Sequence, residues 1–480
     1  MSSRGPACLI LPSACCVYAV LVSLSPCLPI SALAAPPLEV GFGEAEITPK
    51  LGAKAVFIAG FGHNRLATAV ADPLFARAVV LKDGQRRIAL VSVDLVGFFH
   101  ANVNNVRRHL NGFNFVLVSS THSHEGPDTL GLWGKSAFTS GVDPEYMNWL
   151  EGQIVKAVQA AGADARPVSV VMGTDHAPDL LHDGREPIVK HDELVALKFS
   201  DLKTNKPAGI IVQWNCHPET LADKNTKISA DYVGYTVKEV RDKHMCPVVY
   251  FTGTVGGLMT SLKVKIVDNM GNQLNDGTFE KTERFGRLVG RVANSALERA
   301  KEIDMTPIHV HRRNLYLPVD NKIYLLGRQV GVLQRDAFLW SGNAEKAEPV
   351  SKPEDPKKRI CMKTEVGWLR LGNLDVALIP GEIYPELVLD KVPDPAPEGA
   401  DFPDAPREPA IYQQLTAPHR MLIGLANDEI GYIIPKRQWD EKPPFTYGRK
   451  SAPYGEINSL GPETAPLLCE AFRKLVSESK

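Results

Sequence analysis

Four short polar clusters each follow an apolar run that has the length and composition of a β-strand. The runs, such as NFVLV and AGIIVQW, are rich in β-branched and other apolar residues and predict buried strands. Loops at strand ends often carry functional side chains. The pattern is compatible with a fold in which several strand ends meet and His, Glu and Tyr side chains converge on one cation, but the spacing of these residues along the chain is by itself a weak signal for a metal site. The clusters are THSHEGP at 121–127, NCHPET at 215–220, PGEIYP at 380–385 and NDEIGY at 427–432.

Between these clusters the sequence mixes hairpins, single strands and helices. Two β-branched runs flank Asp83-Gly84, a dipeptide that favours a hairpin turn, and two further strands are predicted around Gly372-Asn373. Residues 388–419 are rich in proline and acid and predict a long surface loop. The predicted fold class is α/β or α+β, with a mixed β-sheet core and flanking helices. Helical spacing of apolar residues predicts helices near 102–111, 145–161, 232–243 and 285–303.

The composition is that of a globular protein with a large core. The chain has 480 residues, of which 44% are hydrophobic, and 54 basic residues face 55 acidic ones. This balance gives no basic excess of the kind that nucleic-acid binding needs, so we expect no nucleic-acid partner. No internal repeat divides the chain.

The N-terminus predicts export. Residues 1–35 contain no acid and a single basic residue, and most of the stretch from 7 to 30 is apolar. Ala32 and Ala34 fit an A-x-A cleavage site, which predicts a signal peptide over 1–34 and a secreted, periplasmic or extracellular protein. An uncleaved N-terminal membrane anchor is the alternative, although three prolines interrupt the apolar stretch.

The expected mature chain, residues 35–480, keeps four cysteines. Their wide spacing matches no zinc ribbon and no CxxC motif. Export permits one or two disulfides whose pairing the sequence does not determine, and buried free thiols are an equal alternative. These cysteines are Cys216, Cys246, Cys361 and Cys469.

Two histidines in THSHEGP open the question of a metal. On a strand, His122 and His124 would lie on the same face, which fits two ligands or one ligand beside an acid/base residue. Zinc binds neutral imidazole nitrogen and carboxylate oxygen, and keeps a place for water when it is catalytic. Taken alone, His217 favours a hydrogen-bonded structural role, Glu382 a solvated carboxylate and Tyr432 a core position.

In their order along the chain, the clusters resemble the neutral/alkaline, non-lysosomal ceramidase family of zinc amidases, which split the amide of ceramide. GFGEAEITP, FARAVVL and ALVSVDLVG come first, and THSHEGP is similar to the family's THTHSGP. PGEIYPEL, NDEIGYIIP and YGEINSLGP match later family segments. The resemblance spans about Gly41 to Pro462 and implies the family's catalytic N-terminal domain. We therefore expect a single catalytic domain over 35–480, without a C-terminal immunoglobulin-like domain.

The resemblance implies a role for each residue that matches a family motif. His124 falls where the family has a histidine close to the substrate amide and would serve as acid or base. Arg185, in DGREP, resembles an arginine that faces the substrate, and a surface salt bridge is the alternative. Tyr454 resembles a tyrosine that lines the same site. The implied Zn²⁺ ligands are His122, His217, Glu382 and Tyr432.

One family feature is missing. The position of the family's active-site serine falls on Met259, and that of a nearby aspartate falls on Gly257. A thioether neither attacks a carbonyl nor donates a strong hydrogen bond. A local shift would be needed to bring in the hydroxyl of Thr260 or Ser261, so zinc-activated water is the expected nucleophile. This departure puts ceramide in doubt as the substrate more than it does hydrolysis.

These features predict a secreted zinc-dependent amidohydrolase that acts on ceramide or another N-acyl substrate, which is a lipid or a small molecule. One alternative is a ceramidase-like protein that binds zinc without turnover. Another is a zinc esterase or hydrolase with a non-lipid substrate. Peripheral membrane contact and the oligomeric state stay open.

Overall fold

The structure is a computed structural model, and it describes residues 5, 7–9, 37–84, 86–350 and 358–479. The signal peptide predicted over 1–34 lies outside the described residues, apart from residues 5 and 7–9, and stays a prediction. No helix in the described ranges is long and apolar enough to cross a bilayer.

All described strands and helices belong to the unit formed by residues 36–480. The strands are β1 (Glu39–Glu46), β2 (Ala69–Val70), β3 (Phe75–Asp83), β4 (Arg86–Val93), β5 (Phe115–Ser120), β6 (Arg166–His176), β7 (His182–Asp183), β8 (Glu193–Asp201), β9 (Pro207–Trp214), β10 (Lys227–Ile228), β11 (Val248–Thr252), β12 (Met259–Thr260), β13 (Lys301–Glu302), β14 (Ile308–Pro318), β15 (Phe338–Trp340), β16 (Ala347–Pro349), β17 (Ile360–Leu371), β18 (Leu374–Leu378), β19 (Glu382–Ile383), β20 (His419–Ile423) and β21 (Tyr432–Ile433). The α-helices are α1 (His100–Arg108), α2 (Pro144–Asp164), α3 (Tyr232–His244), α4 (Phe279–Glu298), α5 (Lys322–Gln329), α6 (Pro385–Leu389), α7 (Ile411–Gln414), α8 (Tyr454–Ile457) and α9 (Thr464–Glu478).

Most of the described strands form two mixed sheets. The first has the order β11-β9-β8-β6-β1-β3-β4-β5, with β13 paired to β6. Its pairs are antiparallel except at the two ends, where β11 runs parallel to β9 and β5 parallel to β4. The second has the order β16-β15-β17-β18-β20, with β14 also paired to β17. Because both sheets are mixed and are flanked by helices, the predicted fold class is confirmed.

The two sheets pack face to face and share one hydrophobic core. Val40, Leu90 and Ile211 of the first sheet lie in this core with Leu369 and Val376 of the second. Helices α1 to α4 cover the outer face of the first sheet, and α6, α7 and α9 cover that of the second. The result is a helix–sheet–sheet–helix sandwich in which each sheet is buried on both faces.

Strand β1 carries two glycines because α2 approaches it closely. A Cβ on Gly41 would overlap the Ala161 carbonyl oxygen, and one on Gly43 would overlap the Ala157 carbonyl oxygen. Phe42, between the two glycines, lies in the core shared by the sheets. The alternation of GFG therefore reflects one face that packs on a helix backbone and one that fills the core.

The hairpin predicted at Asp83-Gly84 is confirmed, because β3 and β4 pair antiparallel with Asp83 opposite Arg86. Helix α4 begins six residues before the predicted start at 285, since the Thr278 side chain caps it there. The prediction of a long surface loop over 388–419 is wrong in part. The short helix α7 forms within it, and Ile411 is buried there against α9 and the second sheet.

The four cysteines of the mature chain are buried and unpaired in the structure. Of the two alternatives left open by the sequence, free thiols agree with it. Burial raises the pKa of Cys246 to about 11 and that of Cys361 to about 12, so neither thiol is reactive at neutral pH.

The contact between β1 and α2 can be tested with two glycine substitutions. We expect Gly41→Ala to lower the free energy of unfolding by about 1–3 kcal/mol, because the new methyl group overlaps the α2 backbone. Gly152→Ala lies on the exposed face of α2 with open space around it, and should raise the free energy of unfolding by roughly 0.5–1 kcal/mol. Urea unfolding measures both. Equal effects of the two changes would show that α2 does not pack as described.

Candidate metal centre

The first sheet curls so that its two ends meet at the predicted ligands. His122 follows β5 at one end of the sheet, whereas His217 follows β9 near the other end. The ends are joined by a hydrogen bond in which Thr252 Oγ1, at the end of β11, donates to the Thr121 carbonyl at 2.6 Å. As a result the rings of His122 and His217 lie with their centroids 4.9 Å apart.

Glu382 and Tyr432 reach the same place from a separate two-stranded sheet, β19-β21. Glu382 opens β19, which pairs in parallel with β21 so that Glu382 lies opposite Tyr432. The segment between β20 and β21 crosses the end of β5. There the Asn427 N–H donates to the Val118 carbonyl at 2.8 Å, and the Val118 N–H donates to Asn427 Oδ1 at 3.0 Å. The second sheet is thereby fixed against the strand that leads to His122.

Backbone carbonyls orient both histidines. His122 Nδ1 lies 2.6 Å from the Val96 carbonyl oxygen, and His217 Nδ1 lies 2.8 Å from that of Met259. Because a carbonyl oxygen only accepts hydrogen bonds, each Nδ1 carries a proton and donates it. When it is deprotonated, each Nε2 presents its lone pair on the opposite side of the ring, which is the usual arrangement of metal-binding histidines.

Two oxygen atoms approach these Nε2 atoms. Glu382 Oε2 lies 2.9 Å from His217 Nε2 and 3.4 Å from His122 Nε2. Tyr432 Oη lies 3.4 Å from His217 Nε2, and all four side chains are buried. An imidazole lone pair and a carboxylate this close repel each other unless a proton or a metal ion lies between them. Two imidazole nitrogens, a carboxylate and a phenolic oxygen fit zinc.

The pKa values of these groups indicate that protons lie between the imidazoles and Glu382 when no metal ion is bound. Burial would lower the pKa of His217, yet the hydrogen bond to Glu382 and the charge of Glu219 raise it to about 9. Burial would also lower the pKa of His122, but the charge of Glu382 outweighs burial and the pKa is raised. Burial would raise the pKa of Glu382, but the two imidazoles hold it far below its ordinary value. Zinc binding therefore has to displace protons from the imidazoles.

His124 completes a buried group of three histidines. One ligand atom from each of His122, His124 and His217 lies within 4.8 Å of the others, so this group could also bind a metal. His124 Nδ1 has no hydrogen-bond partner among the described residues, and Glu219 Oε2 lies 3.4 Å from it. Burial and the two neighbouring imidazoles hold the pKa of His124 well below its usual value, so this ring is neutral.

Solved structures share this architecture. Neutral ceramidase from Pseudomonas aeruginosa matches with a TM-score of 0.68 at 16% identity, over 92% of this chain and 74% of that chain. A ceramidase complexed with C2 matches with a TM-score of 0.67 at 16% identity, over 92% of this chain and 75% of that one. The chain has the neutral ceramidase fold. No protein-family model and no curated protein matches the sequence, so the likeness rests on the fold.

Within this ceramidase fold, Met259 has a structural role. Its side chain lies in the core beneath α3 and α4, and its carbonyl oxygen orients His217. The neighbouring hydroxyls are engaged elsewhere. Thr260 Oγ1 accepts from the Leu262 N–H at 2.9 Å, and Ser261 Oγ donates to the His217 carbonyl at 3.3 Å. A cavity of about 270 Å³ lies beside the candidate ligands, and neither Thr260 nor Ser261 is among the described residues that line it.

Arg185 lies away from the cavity wall. It forms a bidentate ion pair with Glu456, with both N–O distances 2.8 Å, and donates to the Gln438 carbonyl and to Tyr384 Oη. Because Glu456 belongs to α8, this pair anchors the helix that begins with Tyr454. Tyr454 lines the cavity and is 54% exposed. The substrate contact implied for Arg185 stays a prediction, and the structure gives it a buried ion pair.

A cavity of about 270 Å³ opens beside the candidate ligands. His122, His124, Glu382 and Tyr432 lie in its wall. The remaining wall is mostly apolar, and neither lysine nor arginine is among the described residues that line it. Its apolar side chains include Phe99, Leu130, Trp133, Tyr324, Val332 and Leu333. Further apolar side chains of the lining are each at least 37% exposed, namely Leu132, Phe138, Ile323, Leu326 and Ile457.

Sequence analysis missed Glu429, a second carboxylate in this wall. It is 7% exposed, and its Oε1 accepts from the Gly431 N–H at 2.7 Å. Its Oε2 has no hydrogen-bond partner among the described residues. Burial first, and then the charge of Glu382, raise the pKa of Glu429 to about 8, and a cation held by Glu382 offsets the second cause. NDEIGY was singled out by its position after a strand, but nothing in it distinguished Glu429.

Asp128 was also missed, and it holds one side of the cavity. Its two carboxylate oxygens accept four backbone N–H groups at 2.7–3.2 Å, from Leu130, Gly131, Trp133 and Gly141. The loop over 129–141 is thereby folded around one side chain. Hydrogen bonds from nearby backbone N–H groups to one aspartate side chain leave no periodic pattern in the sequence, so the sequence did not indicate this role of Asp128.

Zinc content tests the centre directly. We expect near-stoichiometric zinc in the purified protein, and we expect His217→Ala to weaken zinc binding by more than the roughly 10–100-fold that loss of an outer hydrogen-bond partner costs. His191→Ala is the matched control, because His191 is also buried and its Nδ1 lies 2.9 Å from Thr254 Oγ1, away from the candidate ligands. Elemental analysis after mild purification gives the answer. Full zinc in His217→Ala would rule out this centre.

Zinc affinity should depend on pH in an unusual range. Because the pKa of His217 is about 9 and that of His122 is also raised, zinc has to displace protons at neutral pH, and the apparent affinity should rise by at least about tenfold per pH unit up to about pH 9. For an ordinary imidazole this rise ends near about pH 6.5. Competition with a chelator across this range measures the slope. Glu382→Gln should bind zinc more weakly and level off at lower pH, and a wild-type plateau beginning near about pH 7 would contradict the interpretation.

Proposed function

We propose that this protein is an exported, zinc-dependent hydrolase that splits the amide bond of an N-acyl substrate of the ceramide type. The proposal is carried by one observation: two backbone carbonyls turn the Nε2 atoms of His122 and His217 toward Glu382 Oε2 in the wall of an apolar cavity. The N-terminal leader read from the sequence supports export. The fold supports the reaction class.

The proposed ligands are His122, His217, Glu382 and Tyr432. When bound, zinc supplies Lewis-acid polarisation of the scissile carbonyl and lowers the pKa of water to about 7. The chain supplies the rest: it holds the two imidazoles in one tautomer and keeps the site buried. Burial raises the pKa of the Tyr432 phenol well above its ordinary value, so Tyr432 is a neutral phenol as long as no cation is bound.

His124 is proposed to move the proton. Its ring lies 4.9 Å from that of His122 and 5.7 Å from that of His217, centroid to centroid. The Glu219 carboxylate, 3.4 Å from Nδ1, favours the tautomer with the proton on Nδ1. A neutral His124 then accepts a proton at Nε2 from the attacking water and delivers it to the leaving amine nitrogen.

The cavity supports an apolar acyl group. Its inner wall is built from aromatic and branched side chains, and burial of such surface favours binding by about 25 cal/mol per Å². Exposed apolar side chains near its mouth, such as Phe138 at 67% and Ile323 at 66%, suit peripheral contact with a lipid surface. The absence of lysine and arginine from the described lining argues against an anionic head group.

The main competitor is a protein that binds zinc without turnover. It is favoured by Met259, whose thioether lies in the core, and by the commitment of the Thr260 and Ser261 hydroxyls to other groups. Amide hydrolysis by activated water needs none of these three side chains. Turnover therefore separates the two functions.

The test is hydrolysis of a fluorescent N-acyl sphingosine, beside a short polar amide and an ester. We expect zinc-dependent turnover of the N-acyl lipid and a loss of at least about 100-fold in His217→Ala. Met259→Leu should keep zinc and stay within a few-fold of wild type, because a volume-conserving core change leaves the carbonyl that orients His217 in place.

Zinc without turnover of any amide or ester would establish the non-catalytic function. Faster hydrolysis of the short polar compounds would assign a non-lipid substrate. A large loss of activity in Met259→Leu, with zinc retained and the fold intact, would give position 259 a part in the reaction that the proposal denies.

A further inference from the structure

Glu429 has one carboxylate oxygen that nothing in the described protein satisfies. Oε1 accepts the Gly431 N–H, but Oε2 is buried and has no partner among the described residues. Glu429 lies in the wall of the same cavity as His122 and Glu382. A buried acceptor without a donor is costly, so an unpaired oxygen at a cavity wall points to a ligand that supplies the donor.

The placement of Glu429 is rigid. Its N–H donates to Asp428 Oδ1 at 2.9 Å, and its carbonyl accepts from Arg335 at 2.8 Å. Gly97 leaves the space that the side chain fills, since a Cβ there would lie 2.9 Å from Glu429 Cγ. The backbone is thus held on both sides, and a side chain at position 97 would displace the carboxylate.

No lysine or arginine in the described protein forms an ion pair with this carboxylate. Arg335 is the nearby guanidinium, and it is engaged with Asp428 Oδ2 at 2.6 Å and with the Glu429 backbone carbonyl. The cavity wall contains no described lysine or arginine. A metal ion at His122, His217 and Glu382 would balance the charge of Glu382, which is one of the causes that raise the pKa of Glu429, and a donor on a bound ligand would stabilise the Glu429 carboxylate further.

We propose that Glu429 is a substrate-binding residue that accepts a hydrogen bond from a hydroxyl or ammonium group carried next to the scissile amide. This inference rests on the proposed function and adds a head-group preference to it. The site then selects N-acyl amines that carry a hydrogen-bond donor, and it rejects N-acyl amino acids, whose carboxylate would face Glu429.

Four compounds test the preference. They share a dodecanoyl amide and differ only in the group on the carbon next to the amide nitrogen: CH₂OH, CH₂NH₃⁺, CH₃ or COO⁻. Wild type should favour the better of the two donor compounds over the methyl compound by about tenfold or more in kcat/KM, and the carboxylate compound should be the poorest. Which donor compound is preferred distinguishes a hydroxyl from an ammonium head group.

Glu429→Gln keeps the shape and removes the charge. We expect the carboxylate compound to gain roughly tenfold relative to the methyl compound, and an ammonium preference to disappear while part of a hydroxyl preference remains. Glu386→Gln is the matched control. Glu386 is also buried with an unpartnered Oε2, but its Oε1 accepts from Gln438 and it is outside the described cavity lining. Zinc content is measured for each variant, so that loss of metal is recognised.

An unchanged ranking of the four compounds in Glu429→Gln would overturn the inference. If no compound is hydrolysed, their binding to the zinc-loaded protein is ranked by competition instead. A ranking that depends on Glu429 without turnover would support this inference and contradict the proposed function. No binding and no turnover would overturn both.

Discussion

The 2.9 Å approach of Glu382 Oε2 to His217 Nε2 is the contact on which the geometry of the candidate centre depends. His217 follows β9 of the first sheet, and Glu382 opens β19, which pairs with β21 in a separate two-stranded sheet. Removal of one partner from a buried ionic pair costs about 3–5 kcal/mol, because the other charge is left unpaired. The shared core joins the two large sheets, and this pair joins the loop after β9 to the strand pair β19-β21.

Backbone atoms do much of the orienting around this contact. The carbonyls of Val96 and Met259 fix both imidazole tautomers, and these bonds place no demand on the side chain at position 259. Met259 can therefore fill the core while its carbonyl oxygen orients the His217 imidazole. This explains how a chain with the neutral ceramidase fold accommodates methionine at the position where the family resemblance implies serine.

Local sequence predicts local structure well here. The Asp83-Gly84 hairpin and the helices follow from turn chemistry and apolar spacing, and the order of the polar clusters indicated which loops meet. The parts that sequence did not reveal depend on distant contacts. Glu429 is defined by its contacts with Gly97 and Arg335, and the buried pair of Arg185 with Glu456 joins positions 271 residues apart. No local sequence pattern encodes which carboxylate an arginine pairs with, or which buried oxygen lacks a hydrogen-bond donor.

The loop that Asp128 gathers separates two properties of the molecule. Its apolar side chains shape the cavity, but its backbone is held by Asp128 and not by the candidate metal ligands. Substitutions at Leu132, Trp133 or Phe138 can therefore alter what fits without disturbing the group that reacts. Selection can act on the cavity wall and on the candidate metal ligands separately, so proteins with this fold and the same candidate ligands can diverge in the molecules they bind.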